Sequence, residues 1–181
     1  VYNNPDVSFS NLKEYTPFSP STPLTKSKYV TLLKVQLGLS CNFECEYCSQ
    51  RFVERADETN KDDVDHFMSK LENLSFSEKD GLKIELWGGE PLVYWKTIVP
   101  LVKALKEKFK DWKNPPRFSM ISNGSLLTEE INQWLLYNLD SMAISHDGPG
   151  QHVRGPDPFQ EPETKRLALE LYRKFKGNMS F

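Results

Sequence analysis

The chain has 181 residues, of which 38% are hydrophobic, 27% charged and 12% aromatic, with a formal net charge of -2. This is the size and balance of one ordinary domain with a real core, and it excludes pervasive disorder and a nucleic-acid-type basic surface. No run approaches the ~20 apolar residues that span a bilayer, and no basic-then-apolar leader opens the chain.

Residues 1–29 read as an N-terminal arm ahead of a core over residues 30–181. The arm is rich in Ser, Thr and Asn and carries Pro5, Pro17, Pro20 and Pro23, a density that discourages helix and central strand alike. Its aromatics Tyr2, Phe9, Tyr15 and Phe18 either pin it to the core or belong to a poorly ordered terminus. From residue 30 a strand–loop–helix rhythm repeats. Val30–Leu37 alternates Leu33, Val35 and Leu37 against Lys34 and Gln36, the period of a strand. Asp63–Leu74 spaces Val64, Phe67, Met68 and Leu71 as a helix does. A second strand follows Gly81, over Leu82–Trp87, and a helix over Trp95–Phe109. Asn114-Pro115-Pro116 stops that helix and starts a third strand, Arg117–Ser122. Thr128 is placed to cap a helix through Tyr137, with Glu129 and Glu130 in its favourable first turn. A fourth strand covers Ser141–Ser145. A fourth helix covers Glu163–Phe175, and Gly177 follows as a stop.

Four strand–helix units in series predict an α/β fold with right-handed crossovers. A doubly wound sheet and a (β/α) barrel both fit this rhythm. In either, chemistry collects at the C-terminal ends of the strands, and each motif of this chain follows a strand. The first strand ends in the cysteine loop. All three cysteines, Cys41, Cys45 and Cys48, lie there in the spacing Cys-x3-Cys-x2-Cys. Three thiolates on one tight loop suit an iron–sulfur centre with one open position. The competing assignments are buried apolar cysteines, a disulfide, and zinc held by the three cysteines with His66, His146 or His152. The second strand ends in Gly88-Gly89-Glu90-Pro91, where paired glycines allow close approach of backbone to ligand and a carboxylate is available to an ammonium group. The third ends in Ser122-Asn123-Gly124, which by itself is first of all a turn. The fourth ends in Ser145-His146-Asp147-Gly148-Pro149, followed by His152 and Arg154.

Cys-x3-Cys-x2-Cys with an aromatic residue, Tyr47, before the last cysteine resembles the signature of the radical S-adenosylmethionine (radical SAM) enzymes. Gly88-Gly89-Glu90-Pro91 matches that family's Gly-Gly-Glu-Pro motif. Ser122-Asn123-Gly124 is similar to its Thr-Asn-Gly, and Ser145-His146-Asp147-Gly148-Pro149 resembles the Ser-x-Asp-Gly-Pro of its peptide- and protein-modifying branch, such as the anaerobic sulfatase-maturing (SPASM-type) enzymes. The resemblance covers residues 31 to about 175.

It implies that Cys41, Cys45 and Cys48 hold a 4Fe–4S cluster whose fourth iron takes S-adenosylmethionine (SAM), and that Tyr47 flanks the adenine. It further implies that Gly88, Gly89 and Glu90 bind the cofactor's amino group while Pro91 shapes the turn. Ser122 and Asn123 then lie near the ribose and methionyl part, Ser145 contacts the cofactor, and Asp147 organises its loop. Arg154 falls where that branch has an arginine for the cofactor carboxylate, a contact suited to a guanidinium, although the shorter loop leaves a surface arginine as the other assignment. His146 departs from the usual apolar position, as a proton donor or as an oriented loop histidine.

The implied fold is a partial, TIM-like (β/α) barrel, with about four of the usual six units present. The implied activity is reductive cleavage of SAM to a 5′-deoxyadenosyl radical, followed by hydrogen abstraction from a peptide or protein substrate. The alternatives are a small-molecule substrate or a non-catalytic zinc or iron–sulfur module. A reductant such as flavodoxin or ferredoxin is the expected partner, with no nucleic acid and no membrane, and cytoplasm the expected location. A start at Val1 and a new strand beginning at Asn178–Phe181 lead us to expect a core truncated on its C-terminal side.

Overall fold

Five strands follow one another through the sheet in the order of the chain, β1-β2-β3-β4-β5, and every pair is parallel. They are β1 (Leu32–Gln36), β2 (Lys83–Trp87), β3 (Arg117–Ser122), β4 (Ser141–Ile144) and β5 (Asn178–Ser180). The computed structural model describes residues 29–53 and 64–181. The expected arm therefore lies, up to residue 28, outside the described residues.

Crossovers run through α1 (Val64–Lys70), α2 (Trp95–Lys108), α3 (Glu129–Asn138), and then α4 (Gln151–Arg154) with α5 (Pro162–Lys174). An unbroken strand order with crossovers of one hand stacks the helices on a single face, whereas a doubly wound sheet reverses its order part-way. The sequential order decides for an open, incomplete (β/α) barrel of five strands.

The strand periodicity shows which face is covered. Val35, Ile84, Leu86, Phe118, Met120, Met142 and Ile144 point one way and are buried. They pack with Ile98, Leu101, Val102 and Leu105 of α2, Ile131 and Leu135 of α3, and Leu167 and Leu171 of α5. The opposite face carries Lys34, Glu85, Trp87 and Ile121, with Trp87 38% and Ile121 45% exposed. Parallel strands buried on both faces read as continuous apolar runs. The alternation in Lys83-Ile84-Glu85-Leu86-Trp87 is that of a sheet with one covered face.

Element ends follow local chemistry. The Thr128 hydroxyl accepts from the Ile131 N–H at 3.2 Å, the expected cap of α3. Pro162 opens α5 at its first position, where a missing N–H costs nothing. The helix expected to run to Leu74 stops at Lys70. Beyond it the chain tightens into three-residue turns, with Leu71 N–H on Met68 O and Glu72 N–H on Ser69 O, while the Ser69 hydroxyl bonds back to the His66 carbonyl. Gly177 does not end α5 as a left-handed cap, because Phe175 leaves the helix in an extended conformation. A Cβ on Gly177 would stand 1.9 Å from the Asp140 carbonyl, so the glycine lets the start of β5 press against the start of β4. The stretch after Pro149, expected as loop, forms α4. Gln151 nucleates it from a buried position, its carboxamide accepting from Asp147 N–H at 3.2 Å and donating to the Pro156 carbonyl at 3.2 Å.

Candidate active site

The loop from Gly38 to Cys48 leaves β1 and is taken up at once by the end of β2. Gly89 N–H donates to the Gly38 carbonyl and Glu90 N–H to the Ser40 carbonyl, each at 3.0 Å. Ser40 N–H donates to the hydroxyl of buried Tyr94 at 2.8 Å. A Cβ on Gly88 would lie 2.8 Å from the Gly38 carbonyl, and one on Gly89 2.5 Å from those of Leu39 and Ser40. The paired glycines thus bring two backbones into contact with each other, in addition to bordering the space where a ligand would sit. Two thiols share one turn, closed by Cys48 N–H on the Cys45 carbonyl at 3.1 Å. All three cysteines are free and half-buried. Burial pushes the Cys41 thiol up, with Glu90 and the other two cysteines adding to it, against the Phe43 N–H that favours its anion.

Glu90 is 1% exposed, and its carboxylate ties β2 to β3. Oε1 accepts from Leu92 N–H at 3.0 Å and from the Ser122 hydroxyl at 2.8 Å, while Oε2 accepts from Asn123 N–H at 2.8 Å. Burial raises its pKa and these three donors work against that. A carboxylate has about four acceptor positions, so one remains on Oε2, and Glu90 borders the cavity described below.

The far end of the cysteine loop is held by β4 and α4. Glu46 N–H donates to the Val153 carbonyl at 2.9 Å. The Tyr47 hydroxyl donates to Asp147 Oδ2. Arg154 meets the same carboxylate through Nε at 3.2 Å and Nη2 at 3.0 Å, and its guanidinium lies 5.7 Å from the centre of the Tyr47 ring. Arg154, then Tyr47, hold the Asp147 carboxyl below its ordinary 3.8. Desolvation, then the bond to Asp147, pushes the Tyr47 phenol up to about 12. The Asp147 carboxylate thus joins Tyr47 of the cysteine loop to Arg154 of α4.

These elements enclose an open cavity of about 520 Å³, bordered by Cys41, Cys45, Cys48, Tyr47, Gly88, Gly89, Glu90, Ser122, Asn123, Ser145 and Arg154. Of the cluster- and cofactor-binding residues that the resemblance implies, only Pro91 and Asp147 stand behind the wall. Pro91 is buried at the start of the short turn Pro91–Tyr94. None of the three histidines borders the cavity. His146 accepts the Gly148 N–H on Nδ1 at 3.0 Å, so Nε2 carries the proton and donates to Asp157 at 3.0 Å. These two bonds orient the ring within its own loop. Among the described residues, no three His, Cys, Asp or Glu side chains gather as the ligands of one ion would. Four contributors went unread in the sequence. They are Tyr94, Gln151, Asn42, and Phe43, whose ring sits 3.3 Å from where a Gly155 Cβ would be. An aromatic, a glutamine or an asparagine in a loop carries no signal of its partner until the chain is folded.

A family model of the radical SAM superfamily matches residues 35–178. The chain belongs to the radical SAM superfamily. Membership implies SAM and an iron–sulfur cluster as cofactors, and the cavity suits both: three thiols on one side, and a buried carboxylate and a guanidinium on the walls for a ligand bearing an ammonium and a carboxylate. Its volume falls in the ~300–1,000 Å³ range of small-molecule sites. The radical SAM cyclopropyl synthase TigE of Paramaledivibacter caminithermalis is 30% identical over 169 residues, covering 81% of this chain and 34% of that protein. A GTP 3′,8-cyclase of Rhizobium leguminosarum is 33% identical over 135 residues, covering 73% and 35%. This radical SAM chain thus spans about a third of the length of the curated relatives it matches. Among solved structures, anSMEcpe with bound AdoMet and the Kp18Cys peptide superposes with a TM-score of 0.63 at 23% identity, covering 83% of this chain and 42% of that one. Streptococcus suis SuiB bound to S-adenosylmethionine gives 0.58 at 16%, covering 84% and 34%. At these identities the likeness is one of fold.

Proposed function

We propose that this chain is the cofactor-binding part of a radical SAM enzyme that modifies a peptide or protein side chain. Bound together, a 4Fe–4S cluster and SAM supply a 5′-deoxyadenosyl radical that takes a hydrogen atom from the substrate. The protein's work is to bind, orient and exclude water. Cys41, Cys45 and Cys48 hold the cluster. Cysteines that share a cavity without converging on one point would suit a cluster better than a single ion, with no ligand role left for His66, His146 or His152. Glu90 offers its remaining acceptor position to an ammonium group. Gly88, Gly89, Ser122, Asn123 and Ser145 border the same cofactor, and Tyr47 flanks its ring system. Arg154 has five N–H donors, two of them engaged by Asp147, and the others are available to a carboxylate. A flavodoxin- or ferredoxin-type reductant supplies the electron.

The observation that carries this proposal is the meeting of the three thiols with Glu90 and Arg154 around one cavity. The peptide or protein substrate rests on the Ser145–Pro149 loop alone. The similarity to GTP 3′,8-cyclases over 73% of the chain favours a small molecule as the second choice. The test is anaerobic reconstitution with iron and sulfide, followed by reduction with dithionite. The expected result is a brown protein that yields 5′-deoxyadenosine from SAM, and loses both iron and product in Cys41→Ala, Cys45→Ala and Cys48→Ala. A colourless, zinc-loaded protein, or unchanged iron and sulfide in those variants, overturns it. No helix among the described residues is long and apolar enough to cross a membrane.

A further inference from the structure

Asn42 follows the first cysteine and is assigned nothing by the resemblance or by the function proposed above. It is exposed, so burial does not explain it. Its carboxamide nevertheless closes a ring of three side chains. The Asn123 amide donates to Asn42 Oδ1 at 2.9 Å, the Asn42 amide donates to the Ser125 hydroxyl at 2.8 Å, and that hydroxyl donates to Asn123 Oδ1 at 2.7 Å. All three bonds run in the same sense around the ring, the arrangement in which hydrogen bonds polarise one another favourably. The ring also settles both amide orientations, because turning either asparagine over would set donor against donor.

The ring is not isolated. Asn123 is buried, its Oδ1 also accepts from Ser125 N–H at 2.9 Å, and its own backbone N–H donates to Glu90 Oε2. A connected path therefore leads from Glu90 through Asn123 to the residue beside Cys41. Among the described residues, the bond to the thiol of Cys41 itself comes from the neighbouring Phe43 N–H, at 3.4 Å. Cys45 and Cys48 depend on other anchors, the Glu46–Val153 backbone bond and the Tyr47–Asp147–Arg154 group.

We infer that Asn42 is a positioning residue, which locks the first cysteine of the loop to the end of β3 and so holds it in one hydrogen-bonded unit with Glu90. Its relevance to a cluster rests on the ligand role proposed for Cys41, but the lock itself does not. The test uses the full chain and needs no bound cofactor: alkylation of each cysteine by iodoacetamide, resolved by peptide mass spectrometry, in the wild type, Asn42→Ala and Ser125→Ala. Both substitutions exchange one neutral side chain for another, so neither shifts a thiol by adding charge. Reactivity follows the population of the opened loop. In Asn42→Ala, Cys41 is expected to react about tenfold faster, the equivalent of about 1.4 kcal/mol, while Cys45 and Cys48 change less than about twofold. Ser125→Ala, which breaks the ring without touching the loop, should move Cys41 alone by a smaller factor. An equal rise at all three cysteines means general loosening and overturns the assignment, as does an unchanged Cys41. Should Asn42→Ala fail to fold, the same criteria apply to Ser125→Ala. Selective loosening of Cys41 in Asn42→Ala, together with unchanged iron in Cys41→Ala after reconstitution, would uphold the lock and reject the ligand role, which keeps the two failures distinct.

Discussion

The two ends of the cysteine loop are held by opposite kinds of chemistry. At the Cys41 end the anchors are backbone bonds from Gly89 and Glu90, the buried Glu90 carboxylate, and neutral amides. At the Cys48 end, beside the single Glu46–Val153 backbone bond, they are a partly exposed ion pair and a phenol. Exposed pairs are weakened by salt and by protonation, whereas buried backbone contacts respond to neither. The difference teaches that one end of the loop belongs to the core of the sheet, while the other is a latch set by the solution around it.

Breaking the first end should have the largest effect. In Gly89→Ala the new Cβ meets two backbone carbonyls at 2.5 Å, atoms that cannot swing aside. A loss of about 3 kcal/mol is expected, at the upper end for overpacking, read as a lowered urea midpoint. A change below about 1 kcal/mol would show that the β1 and β2 loops are free to part. Glu90→Gln comes next. It keeps the size of the side chain, but its amide nitrogen cannot accept, so either Asn123 N–H or the Ser122 and Leu92 donors lose a buried partner. We expect a cost of about 2 kcal/mol by the same measurement. An unaffected midpoint would mean that the brace is not needed for the fold.

Asp147→Asn, at the exposed end, should have the smallest effect, and one that depends on pH. The Asp147 carboxyl is held below 3.8 in the folded protein, so the folded state favours the ionised form. Its contribution is present above that value and fades as pH falls through the lower folded value. The gap in urea midpoint between wild type and Asp147→Asn should therefore be open at neutral pH and close below 3.8. A gap independent of pH would deny that the charge holds the latch.

Much of this was legible in the residues because it is local. The period of Leu33, Val35 and Leu37, the cap at Thr128 and the stop at Pro115-Pro116 each act within a few positions. Four motifs fall at four strand ends, so a parallel fold brings them to one rim whatever the details of packing. What escaped was reciprocal. Gly177 looked like a helix stop, yet its partner is Asp140 across the sheet. Residues 148–154 looked like loop, because the bonds that let Gln151 start α4 go to a backbone N–H and a carbonyl that only the fold brings near.

By itself the amino-acid order determined the parallel α/β alternation, the clustering of three thiols, and which loops would share a rim. Those follow from spacing along one chain. The tertiary structure alone decided that the sheet runs in unbroken order with one face uncovered by the described residues, that Arg154 grips Asp147, and that Asn42 joins Asn123 and Ser125. Each of these pairs groups distant in sequence, and a hydrogen bond's partner is chosen by position in space rather than by place in the chain.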